Sequence, residues 1–314
     1  MSRGRRKCRD LTRSRWVLLA CLLCGCFMID SYPDEDAYVS EGGFIVDLAA
    51  AVKLHARGAL ILDTRKKADH AKQHVAGSHH ADWAHFSEPK DPNRGRLLAD
   101  EAELTRRLRA MGVSAKKPVV VLGDAAKGWG EDGRIVWMLR TLGHADAVLL
   151  DGGFTAAAGT LPLSSEATPA GKGDFVIKRT ARWDITAAQL RALINGPDRA
   201  RAVLVDTREK REYDGATPYG ESRGGHVPGA VHLHYRQLLN PAGRLRPRAT
   251  VRDLLKKAGI PSNKQVVVYC TGGVRSGWLV MLLADLGYKD ARNYAGSMWE
   301  WAARPAKDYP LTRK

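Results

Sequence analysis

In the run Val266–Ser276, VVVYCTGGVRS, a cysteine is followed at once by a threonine and two glycines, and an arginine closes the loop. A thiol attacks only as its thiolate, and a thiolate at neutral pH needs positive charge or N–H donors close by. Gly272 and Gly273 let the backbone turn without Cβ clashes, so successive N–H groups can converge on one anion. Arg275 adds a planar cationic fork at the end of the loop. Cys270 is therefore the candidate nucleophile, and Thr271, Gly272, Gly273, Val274 and Arg275 form the candidate cradle for it and for an anionic substrate.

The cysteine census sharpens this reading. Cys8, Cys21, Cys24 and Cys26 lie in the first 26 residues, and from Phe27 to Lys314 Cys270 stands alone. A disulfide framework and a zinc site built on several cysteines are both excluded from that long region. A single thiol on a glycine turn is what remains.

Two elements must position it. Val266–Tyr269 reads as a short buried strand, and residues 276–286 as a helix with Gly287 as its left-handed cap. Cys270 then sits on a strand-to-helix turn at the carboxyl end of a strand. Open α/β sheets carry their chemistry there, and the positive end of the following helix favours an anion.

These elements occur twice. ALILDTRKK at Ala59–Lys67 returns as AVLVDTREK at Ala202–Lys210, and HVAGS at His74–Ser78 as HVPGA at His226–Ala230. Val119–Gly123 returns as Val266–Cys270, each followed by a helical pattern, and Leu149–Gly153 matches Asn293–Ser297. Collinear matches in this order mean two copies of one βα domain. Copy one is expected over residues 43–160 and copy two over 184–314. The stretch 161–183, rich in Pro, Gly, Ser, Thr and Ala, is read as a linker. In the first copy Gly123 occupies the slot of Cys270, so that copy cannot run cysteine chemistry.

Paired DTR and HV(A/P)G motifs, the CTGGVRS loop and a closing Gly-Ser-x-Trp-x-Trp at Gly296–Trp301 resemble a tandem-domain rhodanese. That is the thiosulfate and 3-mercaptopyruvate sulfurtransferase family, and the resemblance spans roughly residues 43–305. It implies an α/β fold of two rhodanese-like domains, each a central parallel sheet flanked by helices, with an inactive first copy covering the cleft of the active second. It implies sulfur transfer through a Cys270 persulfide, with no metal or organic cofactor. The expected partners are a small anionic sulfur donor and a thiol, cyanide or protein acceptor. Cysteine-dependent phosphatases space cysteine and arginine as Cys-x5-Arg, whereas Cys270 and Arg275 make Cys-x4-Arg, the shorter loop of a sulfane-sulfur pocket. Where two-domain relatives often carry a substrate-binding arginine, Glu212 stands here beside Arg211. Thiosulfate or another sulfane donor is therefore favoured, with 3-mercaptopyruvate as second choice. The alternatives are a persulfide carrier with little turnover and a non-catalytic binding module.

Other residues have simpler readings. Asp206 ends a strand and anchors the loop near the cleft, and Arg208 is a candidate substrate contact. His70, His74, His79, His80 and His85 suggest a metal patch, but His74 and His80 recur as His226 and His232, so the repeated element accounts for them and no metal is expected. Trp299 and Trp301 read as packing residues.

Residues 1–15 carry seven Lys or Arg against one acid, and the apolar run Trp16–Ile29 follows. That run falls short of the ~20 residues that span a bilayer and reads with its basic flank as a secretory signal. Leu23-Cys24-Gly25-Cys26 resembles the lipobox of bacterial lipoproteins, making residues 1–26 the signal and Cys26 the lipidated residue; an uncleaved anchor is the alternative. Phe27, rather than Asp, after Cys26 points to the outer membrane. The expected protein is a lipid-anchored, periplasm-facing protein of the bacterial envelope. Net charge is +16, with basic residues scattered and no nucleic-acid motif, so small anions and not nucleic acid are the expected beneficiaries.

Overall fold

Repeated β-branched runs and repeated amphipathic stretches become parallel strands and the helices that cover them. In the computed structural model, residues 38–124 and 126–313 are described; the segment expected to be a signal, with Cys26, lies outside them. The first half runs β1 (Ile45–Val46), α1 (Leu48–Ala56), β2 (Leu60–Asp63), α2 (Lys67–Lys72), β3 (His74–Val75) and β4 (His79–His80). It continues through α3 (Glu101–Ala110), β5 (Val119–Leu122), α4 (Glu131–Thr141), β6 (Ala147–Leu150), α5 (Gly153–Ala157) and β7 (Leu163–Ser164). The second half runs α6 (Ala187–Asn195), β8 (Ala202–Asp206), α7 (Lys210–Asp214), β9 (Val231–His232) and α8 (Arg248–Lys257). It ends with β10 (Gln265–Tyr269), α9 (Val274–Asp285), β11 (Ala291–Asn293) and α10 (Ser297–Ala303).

The strand order is β1-β6-β5-β2-β4 in one sheet and β11-β10-β8-β9 in the other, all parallel. A parallel bridge between Asp184 and Asn293 completes the correspondence, standing where β1 pairs with β6. The antiparallel pair β3·β7 is likewise matched by a bridge from His226 to Thr312. The duplication seen in the sequence is thus a duplication of backbone pairing. It also moves one boundary: β7 pairs with β3 through Leu163 and Ser164, so the first half runs past residue 160 into the expected linker.

The two halves share a core. Helices α4 and α9 pack on one another at its centre, and the apolar cluster runs from Leu62, Val121 and Trp137 in one half to Val205, Val268 and Trp278 in the other. The close crossing is possible because Gly133 has no side chain; a Cβ there would lie 2.5 Å from the Trp278 Cα. The described residues belong to one compact unit. Among them, no helix is long and apolar enough to cross a membrane.

Candidate active site

Strand β10 is buried along Val266–Tyr269 and delivers Cys270 into the turn before α9. The helix begins at Val274, two residues earlier than its hydropathy suggests, because Gly273 takes up the left-handed conformation (φ +81°) that caps it. A residue with a Cβ would be strained there. The turn points the Gly273 N–H at Cys270 Sγ, 3.1 Å away, and the Ser276 hydroxyl lies 3.5 Å from the same sulfur. The thiol is 1% exposed. Burial pushes its pKa up, but the Arg275 charge, the Ser276 hydroxyl and the Ser276 and Gly272 N–H groups outweigh that and hold it below the ordinary thiol value.

Beneath the loop, the Cys270 N–H donates to Ser297 Oγ at 3.1 Å, and that hydroxyl donates to the Tyr294 carbonyl at 2.7 Å. Ser297 holds φ +50°, a region that non-glycine residues rarely enter. Its counterpart in the first half is Gly153, at φ +55°. The second half has kept the strained backbone and placed a hydroxyl on it, which ties the cysteine to α10.

Arg275 is not the free cation that its place in the loop suggests. It is 2% exposed and donates to both Glu212 carboxylate oxygens, at 2.7 and 2.9 Å, and to Thr271 Oγ1 at 2.5 Å. Thr271 Oγ1 in turn donates to Glu212 at 2.7 Å. Burial alone would raise the Glu212 carboxyl, but these bonds reverse it and keep Glu212 ionised. The loop cation is therefore balanced by an anion on α7.

The other predicted residues divide. Thr271, Gly272, Val274 and Arg275 line a cavity of about 250 Å³ at Cys270, while Gly273 contributes its N–H from the loop. Arg208 does not reach that cavity. It is fully buried, clamps Asp206 through Nε and Nη2, and donates to the Gly225 carbonyl at 2.7 Å. Asp206 anchors the loop as expected, and Arg65 makes the same clamp on Asp63 in the first half. Of the two tryptophans read as packing, Trp301 is core, but Trp299 lines the cavity. The histidines are structural: His74 and His80 bond the carbonyls of His70 and Arg65, and His226 and His232 repeat this with Tyr213 and Arg208.

Several functional residues escape a sequence reading. Trp83, Trp129 and Glu131 come from the first half to wall the cavity, and Tyr219 comes from the segment after α7. Burial pushes the Glu131 carboxyl up. Arg134, on α4, is buried and donates to the Gly273 carbonyl at 3.2 Å and the Gly95 carbonyl at 2.7 Å, so the first half also braces the cysteine loop from behind. The one available signal was the extra length of the loop after Gly123, which carries Trp129. A larger depression of about 630 Å³, with Arg201, Lys264, Gln265 and Asp290 in its lining, lies at the amino ends of β8, β10 and β11, away from the cysteine.

The arrangement can hold a nucleophilic thiolate, and an anion one sulfur longer, against fixed N–H donors in an aromatic-walled cleft. The model for the rhodanese-like domain matches residues 48–159 and 186–304. The chain is 30% identical over 256 residues to the thiosulfate sulfurtransferase of Pseudomonas aeruginosa, covering 81% of this chain and 92% of that protein. It is 32% identical to a probable 3-mercaptopyruvate sulfurtransferase of the same organism, covering 75% of this chain and 84% of that protein. In fold it is similar to the Tum1 protein of Saccharomyces cerevisiae, with a TM-score of 0.75 at 20% identity over 87% of this chain and 99% of that one.

Proposed function

The chain belongs to the rhodanese-like family and is a sulfurtransferase, and on that premise we propose that it moves sulfane sulfur through a persulfide on Cys270. The Cys270 thiolate attacks the outer sulfur of a sulfane donor. With thiosulfate, the new bond joins Sγ to that sulfur, the old sulfur–sulfur bond breaks, and its electron pair leaves with sulfite. An acceptor such as cyanide or a thiolate then takes the outer sulfur and returns the Cys270 thiolate. The cycle is ping-pong, and charge and atoms balance at each half without an oxidant.

One observation carries this reading: Cys270 Sγ receives the Gly273 N–H at 3.1 Å at the positive end of the twelve-residue helix α9. Donors fixed there favour the thiolate before the first step and the persulfide anion after it. Gly123 offers no thiol in the equivalent place, so each chain would hold one sulfur.

The test is direct. In a chain starting at Phe27, whose only thiol is Cys270, thiosulfate should add one sulfur atom by intact mass and cyanide should remove it. Iodoacetamide labelling should persist well below pH ~8.5, the ordinary thiol value. Cys270→Ser should lose all three behaviours while keeping its circular dichroism. If neither thiosulfate nor 3-mercaptopyruvate ever yields an adduct, the persulfide reading fails.

We propose separately that the protein is tethered in the envelope through lipid on Cys26. The Leu23–Cys26 pattern and its basic flank support this.

A further inference from the structure

We infer that Arg134, in the half without a thiol, is a positioning residue for sulfur transfer: it carries the positive charge behind the cysteine loop that holds Cys270 as an anion. For the thiolate this stands on the geometry; for the persulfide it rests on the reading above and deepens it.

The argument begins with the charges around Cys270. From α9, Arg275 attracts the thiolate, but Glu212 on α7 is bonded to it and opposes that attraction. Further back, Arg208 is clamped by Asp206, and Glu221 lies 4.0 Å from its Nη1. Glu131, from α4, adds a carboxyl to the cavity wall. Both of these second-half arginines thus have an acid against them. Arg134 differs. It is 1% exposed, and its hydrogen-bond partners among the described residues are neutral. Nη1 donates to the Gly273 carbonyl at 3.2 Å, and Nη2 to the Gly95 carbonyl at 2.7 Å and Ser87 Oγ at 3.3 Å. Its Cζ lies 4.4 Å from the Trp137 ring centroid. Neutral partners solvate a charge without cancelling its field, and a buried site screens that field weakly. Burial lowers the Arg134 pKa only to about 10, so the group stays charged at neutral pH.

Arg134 grips the residue that faces the sulfur. Gly273 gives its N–H to Sγ at 3.1 Å and offers its carbonyl to Arg134, to Asn293 Nδ2 at 3.1 Å and to the Gly277 N–H at 3.2 Å. A Cβ on Gly273 would lie 2.7 Å from Arg134 Nη1, so the guanidinium packs against the turn itself. The duplication gives this contact a counterpart. Gly133 and Gly143 correspond to Gly277 and Gly287, so Arg134 corresponds to Trp278. Each side chain crosses to the other half's loop: Trp278 lies against Gly130, in the loop without a thiol, and Arg134 against Gly273. The cation is on the arm that reaches the sulfur. One acid competes for it. Asp184 bridges to Asn293 and lines, with Tyr294, Ala295 and Gly296, a cavity of about 320 Å³ beneath the loop. The arginines in that cavity are paired elsewhere, Arg96 and Arg304 with Glu300 and Arg179 with Glu101. The Asp184 Oδ1 has no hydrogen-bond partner, and burial raises its carboxyl to about 6 against the pull of Arg134. At pH 7 it is ionised and opposes a thiolate at Cys270.

The experiment follows iodoacetamide labelling of the Cys270 peptide by mass spectrometry, in the whole chain, as a function of pH. Arg134→Gln should raise the labelling midpoint by about one pH unit, which slows labelling below the midpoint about tenfold. Arg134→Lys, which keeps the charge, should restore most of that shift. Asp184→Asn should move the midpoint the other way, because it frees Arg134 to act on the sulfur. With thiosulfate and cyanide, kcat/KM of Arg134→Gln should fall about tenfold at pH 6 and recover at pH 9, where the thiolate forms without help. A residue that only held the loop in place would slow the reaction alike at every pH. If Arg134→Gln loses its circular dichroism, Arg134→Lys and Asp184→Asn decide. A midpoint that Asp184→Asn leaves unmoved or raises, or that Arg134→Lys shifts by a full unit, overturns the inference. If labelling follows the expected pattern but neither thiosulfate nor 3-mercaptopyruvate adds sulfur to Cys270, the persulfide reading fails alone and the role of Arg134 toward the thiolate stands.

Discussion

Burial raises the cost of ionising a thiol, and Cys270 is 1% exposed, so its reactivity rests on the few groups that touch Sγ. Arg275 sits among them, yet its strongest partner is Glu212, and both groups are almost wholly buried. Taking either member away strands the other in a dry site, which costs about 3–5 kcal/mol in comparable buried pairs. Arg275→Ala is therefore expected to lower the urea midpoint strongly as well as slow donor reaction. Arg275→Ala combined with Glu212→Ala should lose less stability than the two single changes added together. Additive losses in that double-mutant cycle would show that the pair is not coupled. The arginine itself was legible in the sequence as the end of a glycine loop. Its partner was not, because the contact joins residues 63 positions apart and depends on how α7 lies against α9. Arg208 misled for the opposite reason. Its DTR motif looks like a ligand site but is a local clamp on Asp206, as Arg65 is on Asp63.

At the scale of elements, the same strand-turn-helix unit is used once for chemistry and once for packing. In the first half, a Cβ on Gly123 would lie 2.8 Å from Thr64 Oγ1 and 2.9 Å from Asp132 Oδ2, so a carboxyl crowds the place that corresponds to Cys270. Asp132 is buried in α4, and burial, opposed only in part by the Gly133 N–H, pushes its pKa up to about 7. In the unfolded chain the carboxyl ionises near pH 4. Between those values the folded state binds more protons, so this group's contribution to stability is complete below pH ~4 and is lost as pH rises through 7. Asp132→Asn, which keeps an acceptor for the Gly133 N–H, should raise thermal stability at pH 8 by on the order of 2 kcal/mol relative to wild type, and by much less at pH 5. An equal effect at both pH values would refute the shift. The paired units could be read from their Val-rich runs and repeated turns, since those patterns are local and periodic. The two-residue edge strands β1 and β7 could not, because such short pairings carry no period of their own. Nor could the aromatic wall: Trp83 and Trp129 line the same cavity as Cys270 although they lie in the other half, which packs on it through α4 and α9.

For the whole molecule, the first half has no thiol in the equivalent loop, and its work is to wall the cleft and brace the loop through Arg134. Everything the proposed sulfur cycle uses therefore lies between Trp83 and Trp299, apart from the N-terminal segment proposed as a signal. Two readouts should then separate cleanly. In a bacterial host, if Cys26 carries the lipid as proposed, Cys26→Ser should lose incorporation of labelled fatty acid and should no longer fractionate with the outer membrane. The same variant, purified in detergent, should retain its kcat/KM for sulfur transfer, because Cys270 and its surroundings are untouched. Fatty acid incorporated equally into the variant would refute lipidation at Cys26. A tenfold or greater fall in kcat/KM would show instead that the N-terminal segment takes part in the site.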